Sequence, residues 1–446
     1  MVLKVSSAVI DLTPEQPASL GGFADGRRTS TRVHSSLEAN VVVFAAGDQR
    51  VVLVAVDLLF VGRDLRLAIE SAAQQAYGVG TSRVITLASH THYAPMLDRL
   101  KPGLGELSEE ELDRWRARLV AAFGQLSSPV LCDAVRRGTG QSSAAANRRK
   151  PWPWPTLTRV LGRKRGGVYM ADNPDGPLDR SIRVWVWSSG GKPAAVLWAY
   201  ACHPTGFPDS SAVSAEFPGA VRRALRDRYG SDLPVLYAPT CMGDVRPRTG
   251  LRTGGLRGVI DLALYGPRVR GFGAAEWDRW SRALADEVVG AISGAADEPI
   301  GEAAIASAEV SVPINGLLDG QCPTDDLICK IVRLPGLGRI VTLSCEPVTE
   351  VGPLIGAGAD LVVGYEGDVF GYLPVDHMLA EGGYEAGGYF PAFGMTGKPK
   401  PGIDSFLRET GERLIEGLAS ADAISRQSLS NTGGRRRGGR SERPNP

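Results

Sequence analysis

Two histidines lie two positions apart in the stretch VITLASHTHYAPM, residues 84–96, of a chain that has five histidines in all. Side chains at positions i and i+2 of an extended chain point the same way, so His90 and His92 can address one point beyond the end of an apolar strand. Imidazoles placed in this way suit metal binding or proton transfer. Structural histidines that only make hydrogen bonds give the same local pattern, so the pair alone leaves both interpretations open.

Three further apolar stretches end in side chains that bind metals or move protons. These strand ends are AYACHPTGF with His203, LSCEP with Glu346, and GDVFGYLP with Asp368 and Tyr372. Sites in α/β proteins lie beyond the carboxyl ends of strands, where such side chains converge. Four polar strand ends therefore predict one shared site, with metal binding or acid–base chemistry.

The elements that position these residues alternate between β-branched runs and helical stretches. Strands at 40–46 and 50–62, joined by the turn GDQ, precede a helix at 63–78 and a strand at 83–90. This β-α-β order predicts an α/β fold with a layered mixed β-sheet core flanked by helices, in a single large domain over residues 1–425. The other predicted elements are strands at 181–188, 194–203, 234–241, 303–314, 339–347 and 359–367, helices at 108–126, 217–230, 273–293 and 402–420, and an edge strand at the N-terminus.

Composition excludes several classes of protein. The 446 residues carry a formal net charge of +1 and are 43% hydrophobic, which is unlike a disordered chain or a nucleic-acid binder. We find neither a signal peptide nor the run of about 18 apolar residues that a transmembrane helix needs, so we expect a cytoplasmic protein. The six cysteines are expected to be buried or idle thiols, since CPTDDLIC (322–329) lacks the spacing of a zinc knuckle.

Two segments differ in composition from the rest. Residues 147–167, NRRKPWPWPTLTRVLGRKRGG, are basic and rich in Trp and Pro, and residues 426–446 end in a Gly/Arg-rich stretch with nothing apolar to bury. The second is predicted to be a disordered tail. The first is either a solvated loop with two packed tryptophans or a cationic lip that contacts lipid headgroups, an anionic acyl carrier or RNA.

Taken in order, the motifs resemble the N-terminal catalytic domain of the neutral/alkaline, non-lysosomal ceramidases, and this chain would be a divergent member. ASHTHYAP is similar to the family's Thr-His-Thr-His-Ser-Gly-Pro motif, and CHPTGF to its His-Pro-Thr-Ser motif. APTCMGDVRP resembles its Asn-Ala-Gly-Asp-Val-Ser-Pro motif. The remaining similar stretches are AVIDLTP, GGFADG, VAVDLLF, SCEPVTEVG, GDVFGYLP and GGYEAGGYF.

The resemblance implies a zinc site made by His90, His203, Glu346 and Tyr372. Imidazole and carboxylate are ordinary zinc ligands, whereas a tyrosine oxygen needs the metal to favour its phenolate, because a free phenol titrates near about 10. Zinc at an open site would polarise a carbonyl and activate a water. His92 would then lie behind the ligands or face the substrate, where it can donate to an oxyanion or relay a proton.

One departure from the family concerns catalysis. The family has a catalytic Ser after Gly-Asp-Val, and this chain has Arg246. A guanidinium is not a nucleophile, so Asp244 or His92 is left as the base, and Arg246 is expected to bind a carboxylate, a phosphate or the oxyanion. The alternative is an ion pair of Arg246 with Asp244 or Glu216. Glu216 itself is predicted at the head of a helix.

These features predict a zinc-dependent hydrolase that cleaves the carboxamide of a small acyl-amide or lipid-like substrate with an anionic or polar head. An acyltransferase that uses the same centre, with an anionic carrier or RNA held by residues 147–167, is the second hypothesis. A binding protein without catalysis is the third. The sequence leaves the oligomeric state open, and the metal is defined only as a divalent cation.

Overall fold

The computed structural model describes residues 2–23, 27–154, 156, 167–252, 255–301, 304–356 and 358–434. They form a mixed α/β structure, which confirms the predicted fold class. The strands are β1 Leu3–Asp11, β2 Ser19–Leu20, β3 Arg28–Thr29, β4 Arg32–Val33, β5 Glu38–Ala46, β6 Gln49–Val56, β7 Val84–Ala88, β8 Val130–Cys132, β9 Ala134–Gln141, β10 Ala145–Trp152, β11 Gly167–Asn173, β12 Ser181–Ser189, β13 Lys192–Tyr200, β14 Ala212–Val213, β15 Val235–Pro239, β16 Val245–Pro247, β17 Asp297–Pro299, β18 Ala306–Pro313, β19 Leu318–Asp319, β20 Asp326–Leu334, β21 Gly338–Leu343, β22 Glu346–Pro347, β23 Leu361–Val363, β24 Tyr372–Leu373 and β25 Lys398–Pro399. The α-helices are α1 Gly62–Tyr77, α2 Glu109–Ala122, α3 Glu216–Tyr229, α4 Gly255–Tyr265, α5 Ala274–Ser293, α6 Val351–Ile355, α7 Asp376–Glu381 and α8 Ile403–Gly434.

Two five-stranded mixed sheets, with strand orders β7-β6-β5-β1-β8 and β15-β13-β12-β9-β17, pack face to face. Strand β5 shows how alternation builds this layer, since Val42 and Phe44 point into the core between the sheets while Val41 and Val43 point to the opposite face. The ring of Phe44 lies 4.8 Å from that of Trp187 in the opposing sheet. The apolar strands are therefore buried on both faces.

Helices cover the outer face of each sheet. Leu65 and Ile69 of α1 and Trp115 of α2 pack on the first sheet. Val221 of α3 and Val288 of α5 pack on the second. The result is four layers, helix, sheet, sheet and helix, because each amphipathic helix buries one apolar stripe against a sheet.

A third sheet has the strand order β18-β20-β21-β23. The residues that follow β23 connect its carboxyl end with the carboxyl ends of β15 and β7. After β23, the Gly364 N–H donates to the carbonyl of Pro239 at the end of β15 (3.0 Å). One residue later the carbonyl of Tyr365 accepts from the Ala88 N–H at the end of β7 (3.1 Å). Helix α8 packs on the far side of this sheet. These bonds bring separate strand ends to one place.

The structure differs from the predicted elements at several boundaries. Strand β6 ends at Val56 and not at residue 62, and the strand predicted at 339–347 is divided into β21 and β22. Strand β1 is not an edge strand, because β5 pairs with it on one side and β8 on the other. Strands β8 to β11 and β20 were not predicted.

The basic segment 147–167 begins inside the fold. Asn147, Arg148 and Arg149 are buried in β10, which corrects the prediction that the whole segment is a surface loop or lip. Trp154 is exposed, and residues 155 and 157–166 of this segment lie outside the described residues. Helix α8 passes the predicted boundary at residue 425 and ends at Gly434; the rest of the predicted tail, 435–446, lies outside the described residues.

All six cysteines are free thiols, five of them buried and Cys322 half-buried. None of the helices in the described part of the chain has an apolar stretch long enough to span a bilayer.

Candidate metal centre

Four of the predicted site residues meet where the strand ends converge. His90 follows β7 and His203 follows β13, while Glu346 and Tyr372 lie opposite each other in the short parallel pair β22–β24. All four side chains are buried; the most exposed, that of Tyr372, has a relative exposure of 5%. The pairing of β22 with β24 fixes the carboxylate and the phenol next to each other although the two residues are distant in sequence.

The candidate ligand atoms are as close together as the ligands of one metal ion. Glu346 Oε2 lies 3.2 Å from His90 Nε2 and 3.3 Å from His203 Nε2. The Tyr372 hydroxyl lies 3.4 Å from His203 Nε2. Zinc bonds of roughly 2.0–2.1 Å in a tetrahedron place neighbouring ligand atoms roughly 3.3–3.4 Å apart. The spacing of this cluster fits such an ion.

Hydrogen bonds to the backbone orient both ligand imidazoles. His90 Nδ1 lies 2.9 Å from the carbonyl oxygen of Leu59, and His203 Nδ1 lies 2.7 Å from that of Met242. A carbonyl oxygen only accepts, so in the neutral ring the proton is on Nδ1 and Nε2 presents a lone pair. Glu346 Oε2 is buried and receives no hydrogen bond within the described part of the chain. Three acceptors thus face one another, an arrangement that a cation satisfies.

Electrostatics in the cluster follow from burial and from the neighbouring charges. Burial, reinforced by Arg148, lowers the pKa of His203 to about 4, so its ring is neutral near pH 7. Burial alone would raise the pKa of Glu346, but His90 and His203 outweigh it and the pKa is lowered. Burial and then the charge of Glu346 raise the pKa of Tyr372 well above its ordinary value. The carboxylate is therefore anionic, and the phenol keeps its proton without a cation.

His92 is placed differently from the two ligand histidines. Its Nε2 lies 3.4 Å from His90 Nε2, and these two rings and His203 form the group of three histidines whose nitrogens lie within 4.8 Å of one another. However, His92 Nδ1 is buried without a partner among the described residues. Ligand histidines usually have the second nitrogen fixed by an acceptor. His92 also lines the open pocket, which is a position that suits contact with a substrate.

Sequence reasoning missed the residues that hold the phenol of Tyr372. Arg148 Nη2 donates to the Tyr372 hydroxyl at 3.2 Å, and Arg148 Nε donates to Glu385 at 2.8 Å. Arg149 also donates to Glu385 at 2.8 Å, so one buried carboxylate balances two guanidinium groups. In the sequence, Arg148 is next to Arg149, and Glu385 follows Tyr384. Nothing in these two stretches indicates that both arginines bind Glu385. Tyr365 was missed as well, and its ring lies 4.5 Å from that of His90.

Two solved structures share this arrangement of strands and helices. One is a neutral ceramidase from Pseudomonas aeruginosa, matched with a TM-score of 0.66 and 16% identity over 95% of this chain and 75% of that chain. The other is a ceramidase complexed with C2, with a TM-score of 0.66 and 16% identity over 92% and 74%. The chain has the fold of a neutral ceramidase. The sequence matches no family model and no curated protein.

Within this ceramidase fold, a pocket of about 470 Å³ opens onto the cluster. His90, Glu346 and Tyr372 form part of its wall, together with His92. Most of the remaining wall is apolar, and it is made by Phe23, Leu59, Phe60, Leu104, Met170, Val269 and Phe393. The ligand atoms of the cluster are therefore accessible from a chamber that suits a partly apolar molecule.

Arg246 and Asp244, two residues apart, have different environments. Arg246 lines the pocket. Asp244 does not line it: Asn147 donates to one carboxylate oxygen at 2.8 Å, and the N–H and hydroxyl of Thr349 donate to the other, both at 2.8 Å. Burial raises the pKa of Asp244 to about 6. The structure thus places the guanidinium, and not the carboxylate, beside the pocket.

The remaining candidate acids also lie outside the pocket wall. Glu216 is the first residue of α3, as predicted, and its carboxylate accepts the N–H groups of Phe207 and Phe217, both at 2.6 Å. Burial raises its pKa to about 7. Asp368 accepts from Arg63 at 2.9 Å. Both carboxylates hold loops in place around the site.

Proposed function

We propose that the chain is a metal-dependent hydrolase of carboxamide bonds, with zinc held by His90, His203, Glu346 and Tyr372. The observation that carries the proposal is the convergence of two imidazoles oriented by backbone carbonyls with a buried carboxylate oxygen, Glu346 Oε2, that accepts no hydrogen bond from the described residues. The ceramidase fold supports the reaction class, because both similar structures are ceramidases. The substrate is a small acyl-amide or a lipid-like amide, which fits the mainly apolar pocket.

These four residues would hold a divalent cation, which would supply Lewis-acid polarisation of the scissile carbonyl and lower the pKa of the attacking water. The attack forms a C–O bond, the C–N bond then breaks, and the proton taken from the water ends on the leaving nitrogen. We assign the transfer of that proton to His92, which lines the pocket and whose Nε2 lies 3.4 Å from His90 Nε2. Arg148 positions the Tyr372 oxygen through its 3.2 Å hydrogen bond. Asp244 is given a positioning role, since its carboxylate is fully occupied by Asn147 and Thr349.

Metal analysis of the purified chain tests this proposal. We expect about one divalent ion per chain, and reconstitution of the chelated protein with Co²⁺ should give the visible absorption of a tetrahedral site. His90→Ala and His203→Ala should each weaken metal binding by more than about 100-fold and abolish the release of amine from N-dodecanoyl amides.

The matched control is His377→Ala. This histidine is half exposed, and its ion pairs in the described part of the chain are with Glu350 and Glu381, so the variant should retain both metal and activity. Full metal content in the His90→Ala/His203→Ala double variant, or amide hydrolysis that survives complete chelation, would contradict the proposal.

A further inference from the structure

The Arg246 guanidinium lines the pocket and makes no ion pair with any of the described residues. None of the described carboxylates lies within 4.0 Å of it, although ion pairs with Asp244 and Glu216 are the alternative that the sequence leaves open. The Asp244 carboxylate is filled by Asn147 and Thr349. The Glu216 carboxylate is filled by backbone N–H groups. Neither acid is available to Arg246.

Asp172 gives the largest attraction that Arg246 feels, and its Oδ1 is buried without a partner among the described residues, but no ion pair within 4.0 Å joins the two side chains. Its Oδ2 accepts the N–H of Gly250 at 2.8 Å, and the described structure shows no hydrogen bond between it and the guanidinium. Burial lowers the pKa of Arg246, and the attraction of Asp172, partly offset by the repulsion of Arg148, does not outweigh it. A cation in this position gains when an anion enters.

The second arginine of the pocket is already neutralised. Arg148 shares the buried carboxylate of Glu385 with Arg149 and also donates to Tyr372. Among the described residues that line the pocket, Arg246 therefore presents a guanidinium that makes no ion pair within 4.0 Å, against a mainly apolar wall.

Arg246 also lies close to the candidate ligands along the backbone. It directly follows Val245, whose carbonyl accepts the His203 N–H at 3.3 Å. An anion bound by Arg246 would lie in the same pocket as His90, Glu346 and Tyr372.

We infer that the substrates are N-acyl amino acids, whose carboxylate is bound by Arg246 while the acyl chain lies along the apolar wall. This inference rests on the proposed function. An apolar acyl chain would pack against Phe23, Leu104 and Val269. The negative charge that binds Arg246 would then belong to the amine side of the amide. A planar guanidinium binds a carboxylate through two parallel N–H donors. Arg246 therefore favours amides whose amine side carries a carboxylate.

Two isosteric substrates test the inference. N-dodecanoylglycine and N-dodecanoylglycinamide differ only in the charge of the terminal group, and wild type should prefer the first by about 10- to 100-fold in kcat/KM, mainly through KM. Arg246→Met should remove the preference by lowering kcat/KM for the glycine conjugate to about the value for the neutral amide, and Arg246→Lys should retain part of it. N-dodecanoylphosphoethanolamine serves as a third substrate; if it is preferred to the glycine conjugate, the carboxylate assignment is overturned.

The control variant is Arg136→Met, which removes an arginine paired with Asp297 on the outer strands and should leave the preference intact. A loss of kcat in Arg246→Met that is equal for charged and neutral substrates would overturn the inference and assign Arg246 to the oxyanion. Calorimetric binding of the two glycine derivatives separates this inference from the proposed function. Binding that favours the carboxylate in wild type but not in Arg246→Met supports the inference even if nothing is hydrolysed, and equal binding refutes it.

Discussion

The buried carboxylate of Glu385 provides the sharpest test of how the centre is held. Its relative exposure is 2%, and it accepts from Arg148 and Arg149, both at 2.8 Å. Glu385→Gln replaces one acceptor oxygen by an NH₂ group that faces a guanidinium and leaves the two cations without their shared charge. Removal of one partner from a buried pair costs about 3–5 kcal/mol. Because the amide keeps one acceptor, we expect the lower end, about 3 kcal/mol.

Urea unfolding measures this cost, and thermal unfolding gives a second reading. An unfolding entropy of about 2.1 cal/mol/K per residue over 446 residues turns 3 kcal/mol into a decrease in Tm of about 3 °C. The variant should also bind metal about 10- to 100-fold more weakly, because Arg148 no longer positions Tyr372.

The matched control for this test is Glu381→Gln. Glu381 accepts from Arg149 at 2.9 Å but is substantially exposed, so its loss should cost less than about 1 kcal/mol. Equal destabilisation by the two substitutions would refute the claim that burial makes Glu385 the essential partner.

Two other variants address the pocket and the loop that follows His203. Gly22 has φ +114°, and a methyl group on it would lie 2.5 Å from the ring of His92. Gly22→Ala should therefore reduce amide hydrolysis strongly, while the metal content, measured in parallel, stays near that of wild type. Unchanged turnover would show that His92 takes no part in the reaction. The pKa of Glu216 is raised to about 7, so between about pH 4.5 and pH 7 the folded state keeps a proton that the unfolded state releases. Binding of this proton stabilises the folded state at low pH, and the stabilisation is lost as the pH rises from about 4.5 to 7. Relative to Glu216→Gln, wild type should therefore be more stable at pH 4.5 than at pH 7.5 by about 2–3 kcal/mol in urea unfolding, and a difference that does not change with pH would contradict the assignment.

The strand ends could be predicted because their signal is local. An apolar run that ends in a histidine or a glutamate identifies both the strand and its polar terminus, and His90, His203 and Glu346 each follow this pattern. Their convergence then follows from a sheet architecture that brings carboxyl ends together. Strand β6 was predicted too long because Leu59 and Phe60 continue its apolar run, whereas in the structure they line the pocket.

Arg148 could not be predicted because its meaning depends on a residue that is distant in sequence. An Arg-Arg-Lys run is typical of a solvated surface. Arg148 and Arg149 can be buried because both donate to the carboxylate of Glu385, which offsets the cost of removing their charges from water. Asp244 shows the reverse case. Its Gly-Asp-Val context suggests a catalytic base, but the pairing of β10 with β16 places Asn147 against its carboxylate. Long-range pairing decides both environments.

The backbone supports the location of the site independently of side-chain chemistry. In the described residues, the non-glycine positions with positive φ are His90 (+65°), Glu216 (+57°) and Tyr365 (+57°). A left-handed conformation costs roughly 1–2 kcal/mol for a residue with a side chain, and such outliers concentrate at functional sites. His90 is a candidate ligand, Tyr365 packs on its ring, and Glu216 fixes the loop after His203. The three left-handed residues of the described chain therefore lie at a candidate ligand, at a ring that packs on it, and at the loop that follows a second candidate ligand.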